Sequence, residues 1–231
     1  MKVLCTGDWH LDRSTAGYDR YADVTKAASE TVDAACEQAV ELYVFLGDLA
    51  DPHSVRSHRA AAFALVMASS LAHNGIRSIW MTGNHDVIDD GSGGSTLLAL
   101  RAGGYMVHDS PGVQPLGAGH LIVMPHPPLG KWYDPAAWVA DCAPPGHQRV
   151  LVVGHLSLPG AQQGSESGDM ARGRLHEWPV AEIKSRWPNA IIVGGHYHAQ
   201  HSRDGIEFAG SLARLGFDEE SNQPGYVIVE V

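Results

Sequence analysis

The sequence predicts an α/β fold, a layered sandwich with mixed sheets. Three observations carry that expectation. Strand-like runs alternate with amphipathic helical stretches up to about residue 104, strand-like runs dominate thereafter, and glycine-polar clusters stand where the runs stop. "KVLCTG" reads as the first strand. Tyr21, Val24, Ala28, Val32, Ala35 and Ala39 then recur at three- and four-residue steps and predict an amphipathic helix. "LYVFLG" (42–47) is an apolar strand of the kind buried on both faces, and Ala60, Phe63, Ala64, Met67 and Leu71 mark a second helix with Gly75 as its stop. "IRSIWMTG" (76–83) is a third strand and "STLLALRAGG" a short helix. "GYMVH", "HLIVMP", "RVLVVG", "AIIVGG", "IEFAG" and "YVIVEV" supply the later strands. "PLGKWYDP" and the Gly/Ser-rich stretch 159–174 read as loops. No repeat, low-complexity tail or linker interrupts the pattern, so one domain over residues 1–231 is expected.

Composition narrows the function class. With 44% hydrophobic residues and a mean hydropathy of −0.13 the chain reads as a soluble globular protein. Neither a signal peptide nor an apolar run approaching the roughly 18 residues of a membrane helix is visible, which points to no membrane. Cys5, Cys36 and Cys142 are few, odd in number and far apart. They suggest a reducing cytoplasm rather than a disulfide framework, and each is expected to behave as a small buried hydrophobe. A formal charge of −10 argues against unaided gripping of a long phosphate backbone. It does not argue against a phosphate substrate, because two bound divalent cations would reverse the local sign.

Chemistry gathers at strand ends. "GDWH" supplies Asp8 and His10, "GDLAD" supplies Asp48 and Asp51, and "GNHD" supplies Asn84, His85 and Asp86. "GH" follows a later strand with His155, and "VGGHYHAQH" (193–201) supplies His196 and His198. The carboxyl ends of strands in α/β sheets are where ligands bind. In extended backbone, residues i and i+2 point the same way, so Asp8 with His10 and His196 with His198 read as two-pronged claws. The donors are carboxylate, imidazole and amide without thiolate, a set suited to manganese, iron or zinc. Asp8, His10, Asp48, Asn84, His155, His196 and His198 are too many for one ion. They suit two ions about 3.5–4 Å apart that share a carboxylate. His53, His58, His73, His108, His120, His126, His147, His176 and His201 lack such a setting and are expected on the surface or in loops.

The ordered motifs D-x-H, GD-x-x-D, GNH-D, a later H and GH-x-H, complete from residue 8 to 198, resemble those of the calcineurin-like metallophosphoesterases. The resemblance implies a four-layer α/β/β/α sandwich. It also implies that Asp8, His10 and His198 hold one metal, that Asn84, His155 and His196 hold the other, and that Asp48 bridges them. His85 would donate to the leaving oxygen, and Asp51 would orient it. A finer similarity, to SbcD-type DNA-repair nucleases, rests on Gly210, Ser211, Arg214, Phe217 and Glu219, with "VVGHLSLPGA" around His155. That branch implies an SMC-like ATPase partner. The usual capping domain and ATPase-docking extension are not expected here, because the motif-bearing core already takes up residues 1–231.

The reaction expected from this resemblance is attack on phosphorus by a hydroxide bridging two divalent ions, Mn2+ first among them. Pro52 stands where related protein phosphatases carry a monoester-clamping arginine, and Val87 follows "GNHD". A monoanionic diester is therefore the expected substrate. The leading expectation is a DNA or RNA nuclease. A cyclic-nucleotide or other small-molecule phosphodiesterase is the alternative, and a non-catalytic scaffold of the same fold the remote one. The stretch 159–174, directly after a candidate ligand, is a candidate substrate lid.

Overall fold

Alternating side chains along the first strand set the layers. In the computed structural model, which describes residues 1–88, 94–127, 132–142, 149–158 and 177–231, strand β1 (Lys2–Thr6) sends Val3 and Cys5 into one core and Leu4 into another. The period of two in a strand makes this division automatic once both faces are covered.

The first sheet contains β1, β4 (Leu42–Phe45), β5 (Arg77–Met81) and β6 (Met106–His108), all parallel, with β13 (Val227–Glu230) antiparallel beside β1. The second sheet contains β7 (Gly112–Leu116), β8 (Gly119–Met124), β9 (Val150–Gly154), β10 (Ile191–Gly194), β11 (His201–Arg203) and β12 (Ile206–Phe208). Strands β8, β9, β10 and β12 run parallel, and β7 and β11 are antiparallel edges. A small hairpin, β2 (Ser14–Thr15) and β3 (Tyr18–Asp19), lies apart from both sheets.

Three cores separate four layers. Val3, Cys5, Val44, Met81, Val123, Val153 and Val193 pack between the sheets. Leu4, Tyr43, Phe45 and Trp80 face helices α1 (Tyr21–Glu37), α2 (Ser57–His73) and α3 (Leu98–Ala102). Ile122, Val152 and Ile192 face α4 (Pro135–Asp141) and α5 (Val180–Arg186). The α/β/β/α order follows. The sequence did not announce α4, α5 or the hairpin, because elements of seven or two residues are too short to show a period. Helix α4 owes its start to Asp134, whose carboxylate caps the N–H groups of Ala136 and Ala137, with Pro135 at the first helical position. Residues 159–174 and the first half of "PLGKWYDP" (128–131), with His147 and His176, lie outside the described residues. Among the described residues, no helix is long and apolar enough to cross a membrane.

One cysteine departs from expectation. Cys5 and Cys142 are buried, but Cys36 is exposed near the end of α1, where the helical period turns it away from the core. Burial pushes the Cys5 thiol up to about 12 and raises Cys142 as well. Iodoacetamide under native conditions is therefore expected to label Cys36 alone within minutes. All three thiols should react in denaturant, as read by mass spectrometry.

Candidate metal centre

The two claws are built alike, and neither is an extended strand. Between Asp8 and His10, Trp9 is driven into the helix-facing core against Phe45 (centroids 4.8 Å apart) and Trp80 (6.0 Å), its indole N–H donating to Thr6. Between His196 and His198, Tyr197 is buried against Phe208 at 4.9 Å, and its hydroxyl bonds both the N–H and C=O of Leu158. Each aromatic anchor fixes a loop from which its flanking residues project. The backbone turns rather than running straight: Asp8, His10, Asp48 and His196 have φ values of 52°, 43°, 61° and 82°. Such left-handed conformations cost on the order of 1–3 kcal/mol each and persist only where the surroundings over-determine them. Here Asp8 N–H donates to Gly47 O at 2.8 Å and His10 N–H to Asp48 O at 3.0 Å.

Glycine lets the strand ends meet. A Cβ on Gly47 would lie 2.6 Å from Gly83 N, and one on Gly83 would lie 2.1 Å from Asp48 Oδ1. The same glycines admit His155 of the second sheet, whose Nδ1 would lie 2.8 Å from a Cβ on Gly47, and here the two sheets exchange hydrogen bonds. His155 Nδ1 bonds Leu46 O at 2.8 Å, and both Asp8 oxygens accept from His196 N–H at 3.1 Å.

The candidate ligands converge in two groups. Ligand atoms of Asp8, His10 and His198 lie within 4.8 Å of one another, as do those of Asp8, Asp48 and His155. His10 Nε2 and His198 Nε2 are 3.0 Å apart. Asn84 Oδ1 sits 2.9 Å from His155 Nε2 and 3.1 Å from His196 Nδ1. Asp48 Oδ2 is 3.5 Å from both His10 Nε2 and His155 Nε2, so one oxygen faces both groups. This cluster of buried O and N donors fits a pair of divalent cations. His85 is half-buried; its ring lies 5.0 Å from that of His10, and its N–H donates to Asp48 Oδ1 at 2.9 Å. Asp51 accepts from the N–H of His53 in its own turn at 2.8 Å.

Three supporting residues stood outside the candidate set. Asp86 is fully buried and accepts from the N–H groups of Asp48 (2.7 Å), Leu49 (2.9 Å) and Gly83 (2.8 Å) and from the hydroxyl of Thr96 (2.6 Å). It ties the ends of β4 and β5 into one unit. Burial and the neighbouring Asp48 carboxylate raise it to about 6, against the pull of those donors. Its signal was its place in "GNHD". Glu219, 0% exposed, lies 2.6 Å from His198 Nδ1. His126, expected on the surface or in a loop, lies in the loop after β8 but is only 6% exposed. The hydrogen bonds His126 N–H to Thr82 O (2.9 Å) and Thr82 Oγ1 to His126 O (2.7 Å) pin it to the end of β5, and its charge is felt at His196.

Electrostatics follow from burial. The buried His10 and His196 imidazoles are pushed down, His196 to about 3, with His155 adding repulsion at His196. Asp48 resists its burial because His155, His85 and His10 surround it, and it is held well below the usual carboxylate range. Burial opposes charge on His155 too, but the Asp48 carboxylate overcomes this and lifts it to about 9.

This geometry sets two expectations. Asp86→Asn, which puts an amide where four donors converge, should cost about 2–3 kcal/mol in denaturant unfolding. Cation binding requires neutral imidazole, whereas metal-free His155 is protonated below about 9. Manganese uptake at pH 7.5 should therefore release a proton and tighten as pH rises. Calorimetry in two buffers of different ionisation enthalpy measures that proton directly.

Comparison with known proteins identifies the family. Residues 1–200 match the family described as calcineurin-like phosphoesterase. The chain is 23% identical to the SbcD component of the SbcCD nuclease of Escherichia coli strain K12, over 95% of this chain and 62% of that protein. It is also 23% identical to the same component from Staphylococcus saprophyticus, over 100% of this chain and 66% of that one. It thus spans less than two thirds of the length of these curated relatives. In fold it is similar to TT1561 of Thermus thermophilus (TM-score 0.52, 13% identity, 90% of this chain and 88% of that one). A dimetal phosphatase from Danio rerio is similar too (TM-score 0.50, 12% identity, 90% and 86%). With the match covering most of its length and the centre described above, the chain belongs to the calcineurin-like phosphoesterase family and is a metal-dependent phosphoester hydrolase.

Proposed function

We propose that this hydrolase cleaves phosphodiesters as a nuclease of the SbcD type, with Mn2+ as its working cation and iron or zinc as alternatives. The observation that carries the two-cation reading is the position of Asp48 Oδ2, 3.5 Å from a nitrogen of each ligand group. Asp8, His10 and His198 would hold one cation, and Asn84, His155 and His196 the other. Two divalent cations so held would supply Lewis acidity, an activated water and neutralisation of charge on the phosphoryl oxygens.

The protein's own residues do the rest. Asp86 keeps Asp48 in register. His85 presents its ring beside His10, where it can donate a proton or hydrogen bond to the leaving oxygen; the role of orienting it is assigned to Asp51 on the family resemblance. Arg13, three residues beyond His10 and close enough for its charge to be felt there, favours an anionic substrate. Pro52 leaves the monoester-clamping position without a cation, which favours a diester. Trp132, 41% exposed, packs edge-on to His126 at 5.7 Å and offers a stacking face for a nucleobase. The relatives named as a nuclease subunit support nucleic acid as substrate; the role in DNA repair and the SMC-like ATPase partner are carried by the motif resemblance, and the cytoplasmic setting by the few unpaired cysteines. A small-molecule diester such as a cyclic nucleotide remains the second reading, favoured by the charge of −10.

With manganese supplied, the protein is expected to hydrolyse bis-p-nitrophenyl phosphate well above p-nitrophenyl phosphate. It should also cleave single-stranded or linear duplex DNA, and Asp48→Ala should abolish both activities. A monoester preference would overturn the diester assignment. Turnover of 2′,3′- or 3′,5′-cyclic nucleotides with DNA left intact would replace the nuclease with the small-molecule diesterase.

A further inference from the structure

We infer that Glu219 is a positioning residue for the metal centre, which makes the His198 site the tighter of the two cation sites. The inference rests on the two-cation reading and concerns a residue beyond the family match, which ends at residue 200. Glu219 closes a single 3-10 turn (Phe217–Glu219) that runs along the protein surface. Phe217 in that turn is 80% exposed, whereas Glu219 is fully buried. Its Oε1 lies 2.6 Å from His198 Nδ1, and its Oε2 accepts the N–H of Leu215 at 2.6 Å. Both oxygens are thus engaged, and the carboxylate is fixed from its backbone side as well, because Asn222 N–H donates to Glu219 O at 2.9 Å.

The chemistry follows from which nitrogen is occupied. With Nδ1–H donated to Glu219, the lone pair of His198 is on Nε2, the atom that faces His10 Nε2 at 3.0 Å. His155 receives the same service from a neutral carbonyl, Leu46 O. A carboxylate raises the basicity of the imidazole it holds more than a carbonyl does, and it locks the ring orientation. Loss of such an outer partner typically costs 10–100-fold in metal affinity. The two cation sites are therefore unequal by construction, and the Asp8–His10–His198 site fills first.

Stepwise Mn2+ binding to the metal-free protein, followed by calorimetry, tests this without any activity assay. Wild type should show two steps of different affinity. Glu219→Gln, which still accepts from Leu215, should weaken the tighter step by 10–100-fold and leave the other within about twofold. The effect should vanish in a His198→Ala background, and Phe217→Ala on the same turn should change neither step. Two unaltered steps in Glu219→Gln would overturn the role of Glu219 while leaving the two-cation reading intact. Equal weakening of both steps, or a metal-free variant that no longer folds, would make Glu219 a general structural clamp and overturn it too. Wild type that takes up no divalent cation would instead overturn the two-cation reading itself.

Discussion

The close approach of two sheet edges governs this molecule. Glycine at 47 and 83 lets the ends of β4 and β5 pack side by side with His155 of the second sheet against them, where any Cβ would strike backbone, Asp48 or His155. Only then can His155 of the second sheet reach Leu46 O of the first, and Asp8 of the first accept from His196 N–H of the second. Pull the sheets apart by one side-chain thickness and the ligand groups separate, because each draws on both sheets. The apolar layer of valines, leucines and methionines between the sheets supplies the hydrophobic force that keeps that gap closed.

Strain and burial are concentrated at this contact. Four residues with Cβ atoms adopt left-handed conformations there, and four carboxylates (Asp8, Asp48, Asp86 and Glu219) and several imidazoles are removed from water. Neither condition favours folding by itself. Trp9 and Tyr197 offset them, each burying an aromatic side chain at the middle of a claw and so converting core packing into ligand geometry. The rigidity needed for chemistry is thus drawn from the same cores that hold the layers together.

Around the candidate ligands stands a ring of residues that support them. Asp86 gathers three backbone N–H groups and a hydroxyl; Leu46 O and Glu219 each fix the tautomer of a histidine. His126 brings a further imidazole close to His196 and carries the exposed indole of Trp132. These contacts come from distant parts of the chain, and they distinguish two ligand groups whose donor types are nearly the same.

The sequence alone determined the layered α/β class, the main strands and long helices, and the identity of the convergent residues. Those features depend on local period and on short motifs at strand ends, which are legible without folding the chain. Expecting Asp8 and His10 to share an extended strand was mistaken, because positive φ values are set by hydrogen bonds to Gly47 and Asp48, not by neighbours in sequence. The burial of His126 was equally illegible, since it follows from pairing with Thr82, 44 positions away. Cys36 faces solvent because a helix period assigns it there, against the average habit of its residue type. Only the tertiary structure decided that Asp48 faces both ligand groups and that Glu219 serves His198. Such contacts arise where segments remote in sequence are forced together by the burial of apolar surface, and no local pattern encodes them.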